Sequence, residues 1–455
     1  MVVLPEDGTA LYAGIYKQFR QQIQDGTLKA GDKLPSKRVL ASQLGVSLNT
    51  VDGAYGQLQS EGYVESRPKS GYYVCYIETM LPMSTTPMTV APSMGEPSIA
   101  VVDFSPRGIA AEKFPFTVWQ RMLKQALADG DALSRSPRQG DWQLRQEIAT
   151  YLHRARGVNA TADQVVIGAG TDRLLAMVSY ILPSDWQLAI ENPVYTKAYR
   201  QFARMGHPVV PAEIDYDGVM VEPLESLERA VVFTTPSHQY PLGLSMPMGR
   251  RVKLLNWAGT KPERYIIEDD YDSEFRYDSK PVPSLQSIDH HHKVIYLGTF
   301  SRSIAPSIRV SYMVLPPWIL ERYQQEYGEF SSDVSALEQR ALAYFMAGGH
   351  FETHLNRMRV HYRNKRQWML DAMEGLSNMA VIGEAAGHHL TLKSKVGMTE
   401  VALCQKAKEA GVMVYPISPY FLGDCPYEGK VLLGFGGLSK EEIQKGMELL
   451  TKAWQ

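Results

Sequence analysis

Cysteine is scarce in this chain. Cys75, Cys404 and Cys425 are the only three among 455 residues; they are far apart, odd in number and in no ligand spacing, which speaks against a disulfide framework or a cysteine-held metal and leaves buried free thiols as the expectation. Excess charge is also missing. With 47 Lys and Arg against 49 Asp and Glu, the net charge of -2 excludes strong global attraction to nucleic acid or membrane, so any nucleic-acid binding must come from a local patch. No apolar run reaches the roughly 18 residues that a spanning helix needs, and the opening MVVLPEDGTALY lacks a basic start followed by an apolar core and cleavage site. The expectation is a cytoplasmic protein.

What is present suits a globular protein of several parts. Hydrophobic residues make up 44% and charged residues 21%, ordinary values for a folded soluble chain. At about 150 residues per domain the length suggests two or three compact units.

Near the amino end, Leu11, Tyr12, Ile15, Phe19 and Ile23 recur at helical spacing, and Gly26 closes the segment. Ser36 then caps a second helix with Val39, Leu40 and Leu44 facing inward and Lys37 and Arg38 in its first turn. Two cations at a helix start oppose the dipole, which suggests that they serve an anion outside. Gly45-Val46-Ser47 makes a tight turn, and Ser47 caps a third helix whose Val51, Ala54, Tyr55 and Leu58 share a face. Two short helices around such a turn describe a helix-turn-helix. Beyond Gly62, Tyr63-Val64 runs out, Arg67-Pro68-Lys69-Ser70-Gly71 turns, and Tyr72-Tyr73-Val74 returns: a hairpin, or wing, with a basic tip.

The stretch KLPSKRVLASQLGVSLNTVDGAYGQLQSEGYVESRPKSGYYV resembles the winged-helix domain of the GntR family, over nearly all of residues 11 to 75. The resemblance implies a head that binds a double-stranded DNA operator, with the third helix in the major groove. Asn49 and Thr50 would then reach base edges or phosphates, and Lys37, Arg38 and Lys69 would neutralise phosphates. With the capping residues Ser36 and Ser47 these form the expected DNA-facing set. Relatives commonly carry arginine after the turn serine; here Leu48 offers only a methyl contact to thymine.

The expected domains are the head at 1-76, a linker at 77-100 and a large body at 101-455. The linker reading rests on Pro82, Pro87, Pro92 and Pro97 among Ser, Thr, Met and Gly with little charge. In the body, strand-like runs (Val165-Val166-Ile167, Gln187 to Ile190, Val231-Val232-Phe233, Tyr265-Ile266-Ile267) alternate with helical ones such as Asp172 to Leu182. That alternation predicts an α/β fold with a mainly parallel central sheet and helices on both faces. The last third mixes helices, about Leu337 to Gly348 and Phe351 to Leu376, with strands such as Val431-Leu432-Leu433, and ends in a helix capped by Ser439 with Glu442 three residues on.

Three segments of the body carry candidate chemistry. Gly168-Ala169-Gly170-Thr171-Asp172 follows a strand and starts a helix, so backbone N-H groups and the Thr171 hydroxyl can cradle a phosphate. Asp269 ends a buried strand, where ligands gather in open α/β sheets. The run Tyr296 to Pro316, YLGTFSRSIAPSIRVSYMVLP, reads as a buried strand ending at Gly298, followed by hydroxyls at Thr299, Ser301 and Ser303 and cations at Arg302 and Arg309.

From Val101 to Gln455 these segments resemble the aminotransferase-like half of the MocR subfamily, of which GabR is a member. The resemblance implies a fold type I aminotransferase-like domain with a smaller α+β C-terminal subdomain, binding pyridoxal 5'-phosphate. Residue by residue it implies that Gly170, Thr171, Asp172, Thr299, Ser301 and Arg309 surround the phosphate, Tyr195 stacks on the ring, Asp269 pairs with the pyridine nitrogen and Tyr271 donates to the ring hydroxyl. In the family pattern position 302 is the lysine that bonds to the cofactor aldehyde. Here it is Arg302, whose guanidinium stays protonated and is a poor nucleophile, so non-covalent cofactor binding and no aminotransferase activity are expected. A second departure is Phe435-Gly436-Gly437-Leu438, where GabR-like relatives have an arginine that grips a carboxylate; Lys197 is a possible replacement. Asp270 and Asp272 are expected behind the site or in solvent, and any of His238, Gln239 and Tyr240 could face the ring.

The expected function is therefore a DNA-binding transcriptional regulator, a head-to-tail homodimer, whose body senses pyridoxal phosphate, an amino acid or amine effector, or both together. The alternative is an active aminotransferase with an attached DNA-binding head.

Overall fold

The computed structural model describes residues 10–76, 100–130, 134–277, 282–383, 386–426 and 429–455. It divides into two compact units, Met1–Pro97 and Ser98–Gln455. The segment expected as a linker lies, Ala100 apart, outside the described residues.

In the first unit, α1 (Leu11–Gln24) buries Ile15, Tyr16, Phe19 and Ile23. Helix α2 (Lys37–Leu44) starts where Ser36 Oγ accepts from the Val39 amide at 3.3 Å, and it stops at Gly45, whose φ of 67° is left-handed. Val39 does not face inward as its spacing suggested: it is 49% exposed, and Ala41 takes the inner position beside Leu40. In an eight-residue helix two turns cannot distinguish neighbouring stripes. Ser47 Oγ accepts from the Thr50 amide at 3.1 Å and opens α3 (Leu48–Ser60), which buries Val51, Ala54, Tyr55 and Leu58. The Tyr55 hydroxyl, inside this small core, donates to the Pro35 carbonyl at 2.9 Å, so its burial leaves no unmet donor. Strands β1 (Val64–Arg67) and β2 (Gly71–Val74) pair antiparallel, and Lys69 sits at the tip with a φ of 59°. Fold and elements are those of a winged helix-turn-helix.

The second unit begins with β3 (Val102–Asp103), α4 (Phe116–Ala128) and α5 (Trp142–Arg156). Strand and helix then alternate: β4 (Val165–Gly168), α6 (Thr171–Ile181), β5 (Gln187–Asn192), α7 (Thr196–Arg204), β6 (Val209–Asp215), β7 (Gly218–Val219), β8 (Ala230–Thr234), α8 (Met248–Gly259), β9 (Arg264–Asp270), β10 (Val294–Thr299), the short α9 (Phe300–Ser303) and β11 (Ser311–Val314). The eight strands order as β4-β11-β10-β9-β8-β5-β6-β7. The four junctions from β10 through β9, β8 and β5 to β6 are parallel, while β11 runs antiparallel between β4 and β10.

Because both faces are covered, the central strands are continuously apolar in their middles rather than alternating, with polar residues at their ends. Ile267 packs with Leu174, Phe202 and Ile319 on one face, and its neighbour Ile266 with Leu254 and Trp257 of α8 on the other. Truncating Ile267 to alanine is expected to cost about 2–5 kcal/mol, the usual loss for a filled core position. The carboxyl ends of β5, β8, β9 and β10 all point to one edge, which is where the candidate site forms.

Strand β10 does not end at Gly298 but continues to Thr299. Gly298 pairs with Tyr312 of β11, and its missing side chain leaves room for the Tyr312 ring. This glycine serves close packing, not termination.

Helices α10 (Pro317–Glu326), α11 (Ala336–Ala347) and α12 (His350–Met373) lead to the smaller part: β12 (Met379–Ile382), β13 (His389–Ser394), α13 (Glu400–Glu409), β14 (Val412–Met413), β15 (Tyr415–Pro416), β16 (Lys430–Gly434) and α14 (Lys440–Trp454). Its four-stranded sheet, β12-β13-β16-β15, is antiparallel. Val102 of β3 lies opposite Val412 of β14, which draws the start of the body into this C-terminal layer. Ser439 and Glu442 close the predicted capping box on α14. The three thiols, expected buried, are all half-buried, and none is in a disulfide.

Candidate functional site

Strand ends and the turns after them deliver the candidate residues to one place. β9 carries Asp269 to the sheet edge; β10 ends in Thr299 and passes into α9 with Ser301 and Arg302; the turn from β4 to α6 supplies Thr171 and Asp172; Tyr195 precedes α7. These side chains, with Tyr271 and Arg309, line a single cleft of about 250 Å³. Gly170 is not among the lining residues but immediately precedes Thr171, which is. A larger groove, about 770 Å³, runs beside Trp368, Lys440 and Glu448, but its charged side chains are exposed and it lacks buried titratable groups, so the chemistry points to the smaller cleft.

One end of the cleft is built for an anion. Gly170 has a φ of 93° and caps the 11-residue α6 without a side-chain bond; its carbonyl takes the Arg173 and Leu174 amides, which leaves those of Thr171 and Asp172 at the helix start for a ligand. A Cβ on Gly170 would collide with the Arg309 guanidinium, so only glycine lets this arginine close over the helix start. Arg309 itself has a φ of 50° and donates to the Ala169 carbonyl at 3.4 Å.

Asp269 sits at the floor. It is 5% exposed, and its Oδ1 has no hydrogen-bond partner among the described residues. Burial, reinforced by Asp270 and Asp272, pushes its carboxyl up to about 8. Asp270 behaves oppositely. Its burial is outweighed by Arg156, whose Nε lies 2.8 Å from Oδ2, and by donors from Tyr296 at 2.5 Å and Ser273 at 2.8 Å, so its acid stays below the ordinary range. Neither Asp270 nor Asp272 is solvated: Asp272 is 3% exposed and takes the His238 ring at 2.8 Å. His238 Nδ1 also lies 3.0 Å from the Tyr271 hydroxyl, which fixes that phenol at the cleft wall.

Of the three residues left open, Tyr240 lines the cleft, its hydroxyl 2.9 Å from that of Tyr420. His238 is buried behind it, and Gln239 bonds to the Pro193 and Tyr240 carbonyls. The Tyr195 hydroxyl donates to Asp172 at 3.3 Å. Lys197, considered as a replacement cation, is instead paired with Asp172 at 2.7 Å and is largely exposed. Ser301 Oγ is buried without a partner among the described residues.

Arg107 is a lining residue that sequence reasoning missed. No local pattern marks it, because it reaches the cleft only through the packing of residues 105–108 on the glycines at and after the end of β16. A Cβ on Gly434 would stand 2.5 Å from Pro106 Cα, and one on Gly108 would stand 2.9 Å from the Gly437 nitrogen. The Gly436-Gly437 pair, read as a lost arginine, is thus what admits the segment that brings another one.

On the winged helix, Arg38, Asn49 and Lys69 are exposed, and the Thr50 hydroxyl bonds to Ser47 Oγ at 2.8 Å. Lys37 is not held free for an outside anion: it pairs with Asp52 and lies 4.8 Å from the Tyr72 ring centre. Among the described residues no group of His, Cys, Asp and Glu could hold a metal, and no helix is long and apolar enough to cross a membrane.

Residues 11–74 match the bacterial regulatory proteins of the gntR family, and residues 108–450 match aminotransferase class I and II. A probable rhizopine catabolism regulatory protein, MocR of Rhizobium meliloti, is 32% identical over 100% of this chain and 96% of its own length. The chain belongs to the MocR-type regulators of the gntR family. Another relative, the uncharacterized HTH-type transcriptional regulator YhdI of Bacillus subtilis, is 38% identical over 98% of this chain and 96% of its own. The body of this MocR-type chain also overlays an archaeal alanine:glyoxylate aminotransferase with a TM-score of 0.70 and 25% identity, over 77% of this chain and 90% of that one.

The cofactor of that fold family, pyridoxal 5'-phosphate, fits the residues present. A phosphate matches the Gly170 cradle with Arg309 over it, and a pyridine nitrogen is the partner that the orphaned Asp269 Oδ1 lacks.

Proposed function

We propose that this protein is a transcriptional regulator whose winged helix binds an operator and whose cleft holds pyridoxal 5'-phosphate without a covalent bond, in register with an amino acid or amine effector. The observation that carries the reading is the set of amines at hand. Among the described residues lining the cleft the only lysine is Lys197, which is exposed and engaged by Asp172. Arg302, on the helix that follows β10, takes the position where the family pattern has its lysine, and a guanidinium does not deprotonate to attack an aldehyde.

When bound, the cofactor supplies an electron-withdrawing ring and an aldehyde. The chain's own groups then divide the work. Asp269 holds a proton at Oδ1 for the ring nitrogen, Tyr271 is aimed by His238, and the start of α6 with Thr171, Thr299, Ser301 and Arg309 binds phosphate. Tyr195 covers the ring face, and Asp172 anchors Tyr195 through its hydroxyl. Ser36, Ser47 and Thr50 shape the starts of the DNA-facing helices, from which Arg38, Asn49 and, at the wing, Lys69 reach the duplex, with Lys37 behind them.

Regulation requires that ligand favour one arrangement of the two heads in a head-to-tail homodimer, since equal affinity for both arrangements shifts nothing. A titration followed by cofactor absorption and tryptophan fluorescence tests the reading. Saturable binding with no transamination above the free-cofactor background is expected; turnover with any amino acid would establish the enzymatic alternative instead, and absence of binding would remove the cofactor from the account.

A further inference from the structure

We propose that Arg107 and Arg302 form a two-guanidinium clamp for a carboxylate, so that the ligand sensed beside the phosphate site is an acid, an amino acid and not a simple amine. This rests on the cleft being the ligand site, as argued above, and adds the chemical class of its effector.

Both residues line the cleft, and neither has a carboxylate within ion-pair distance among the described residues. Several other arginines of the body are neutralised, Arg156 by Asp270, Arg250 by Asp215, and Arg340 by Asp129 and Asp141. Arg302 spends one donor, Nη1, on the neutral carbonyl of Pro106 at 3.0 Å, which fixes the guanidinium without meeting its charge. Pro106 immediately precedes Arg107, so the same bond ties the two arginine-bearing segments together. Both guanidiniums also act on one phenol, Tyr240, lowering the pKa that burial raises.

The surrounding wall offers the two arginines little counter-charge: the Asp172 carboxylate is engaged by Lys197 at 2.7 Å. His388 and His389 are held neutral by burial and by Arg302 itself, and the Asp269 carboxyl is raised into the neutral range by its own burial. A fixed guanidinium presents paired N-H donors that match a carboxylate's two oxygens. An amine without an acid would bring a like charge to two arginines and leave their donors unmet.

Two stable conjugates that differ only in the acid group make the test: N-(5'-phosphopyridoxyl)-L-alanine and N-(5'-phosphopyridoxyl)ethylamine, titrated calorimetrically into the full-length protein and into Arg107→Gln and Arg302→Gln. In the wild type the alanine conjugate is expected to bind roughly tenfold to a hundredfold more tightly, the usual range for charge-assisted hydrogen bonds. Each substitution should shrink that ratio toward one while moving the affinity of the ethylamine conjugate little. Arg107 is exposed, so its replacement leaves the core intact. Equal affinities in the wild type, or a preference that survives both substitutions, overturns the clamp alone; failure of both conjugates to bind overturns the cofactor reading with it.

Discussion

Arg302 donates from Nη1 to the Pro106 carbonyl at 3.0 Å, joining the helix after β10 to the segment that enters from the start of the body. A lysine at this position would have a flexible amine free to enter the cleft; the arginine, while lining it, is tied through Nη1 to a backbone carbonyl. The consequences can be measured at several points.

Gly170→Ala places a Cβ against the Arg309 guanidinium at a φ of 93°. Such a position is expected to cost about 1–3 kcal/mol of stability. Because Arg309 must move, pyridoxal phosphate affinity should fall by at least roughly tenfold, the loss of one charge-assisted contact. Thermal melting and a cofactor titration of the same variant separate the two effects.

The Asp269 carboxyl titrates at 3.8 in its unperturbed state and at about 8 here. The folded state therefore holds more protons than the unfolded one between these values, so the contribution to stability is complete below about pH 4 and is lost as pH rises toward 8. Glu268 and Glu274, both pushed up to about 7 by burial first and by Asp270 second, add slopes of the same sign. Asp269→Asn should remove part of the slope and stabilise the ligand-free protein at pH 8 relative to the wild type, by on the order of a few kcal/mol. Urea unfolding at pH 5 and pH 8 checks the sign.

On the winged helix, Arg38 and Lys37 differ in occupation though they are adjacent. Arg38→Gln should lower the slope of log affinity against log salt by about one on any duplex. Lys37→Gln should lower it less, since Lys37 already pairs with Asp52. Asn49→Ala is expected to lower operator discrimination by about 1–3 kcal/mol without moving the melting temperature, because Asn49 is exposed. Ser47→Ala, by contrast, removes the cap on α3 and should cost about 1 kcal/mol of stability.

The winged helix was legible in the sequence because its instructions are local: a capping serine, a glycine after the last turn, an apolar stripe at the right spacing. Val39 marks the limit of such reading, for a two-turn helix leaves the choice of stripe to its tertiary partners. In the body the strands and the buried Asp269 were visible as apolar runs with a carboxylate at the end. Arg107 was not, because its place depends on backbone contact with glycines more than three hundred positions later, as the Gly108 and Gly437 approach shows. The fates of Lys37 and Lys197 were hidden for the same reason: Asp52 and Asp172 claim them through folding, and no spacing rule links those pairs.

The central claim is that this cleft holds its cofactor without a bond to protein. Borohydride reduction of the protein saturated with pyridoxal phosphate, followed by peptide mass spectrometry, addresses it directly. The wild type should show no modified peptide from the cleft, and Arg302→Lys should gain one at position 302 together with a visible absorption band. A reduced phosphopyridoxyl group on any cleft residue of the wild type would contradict the account.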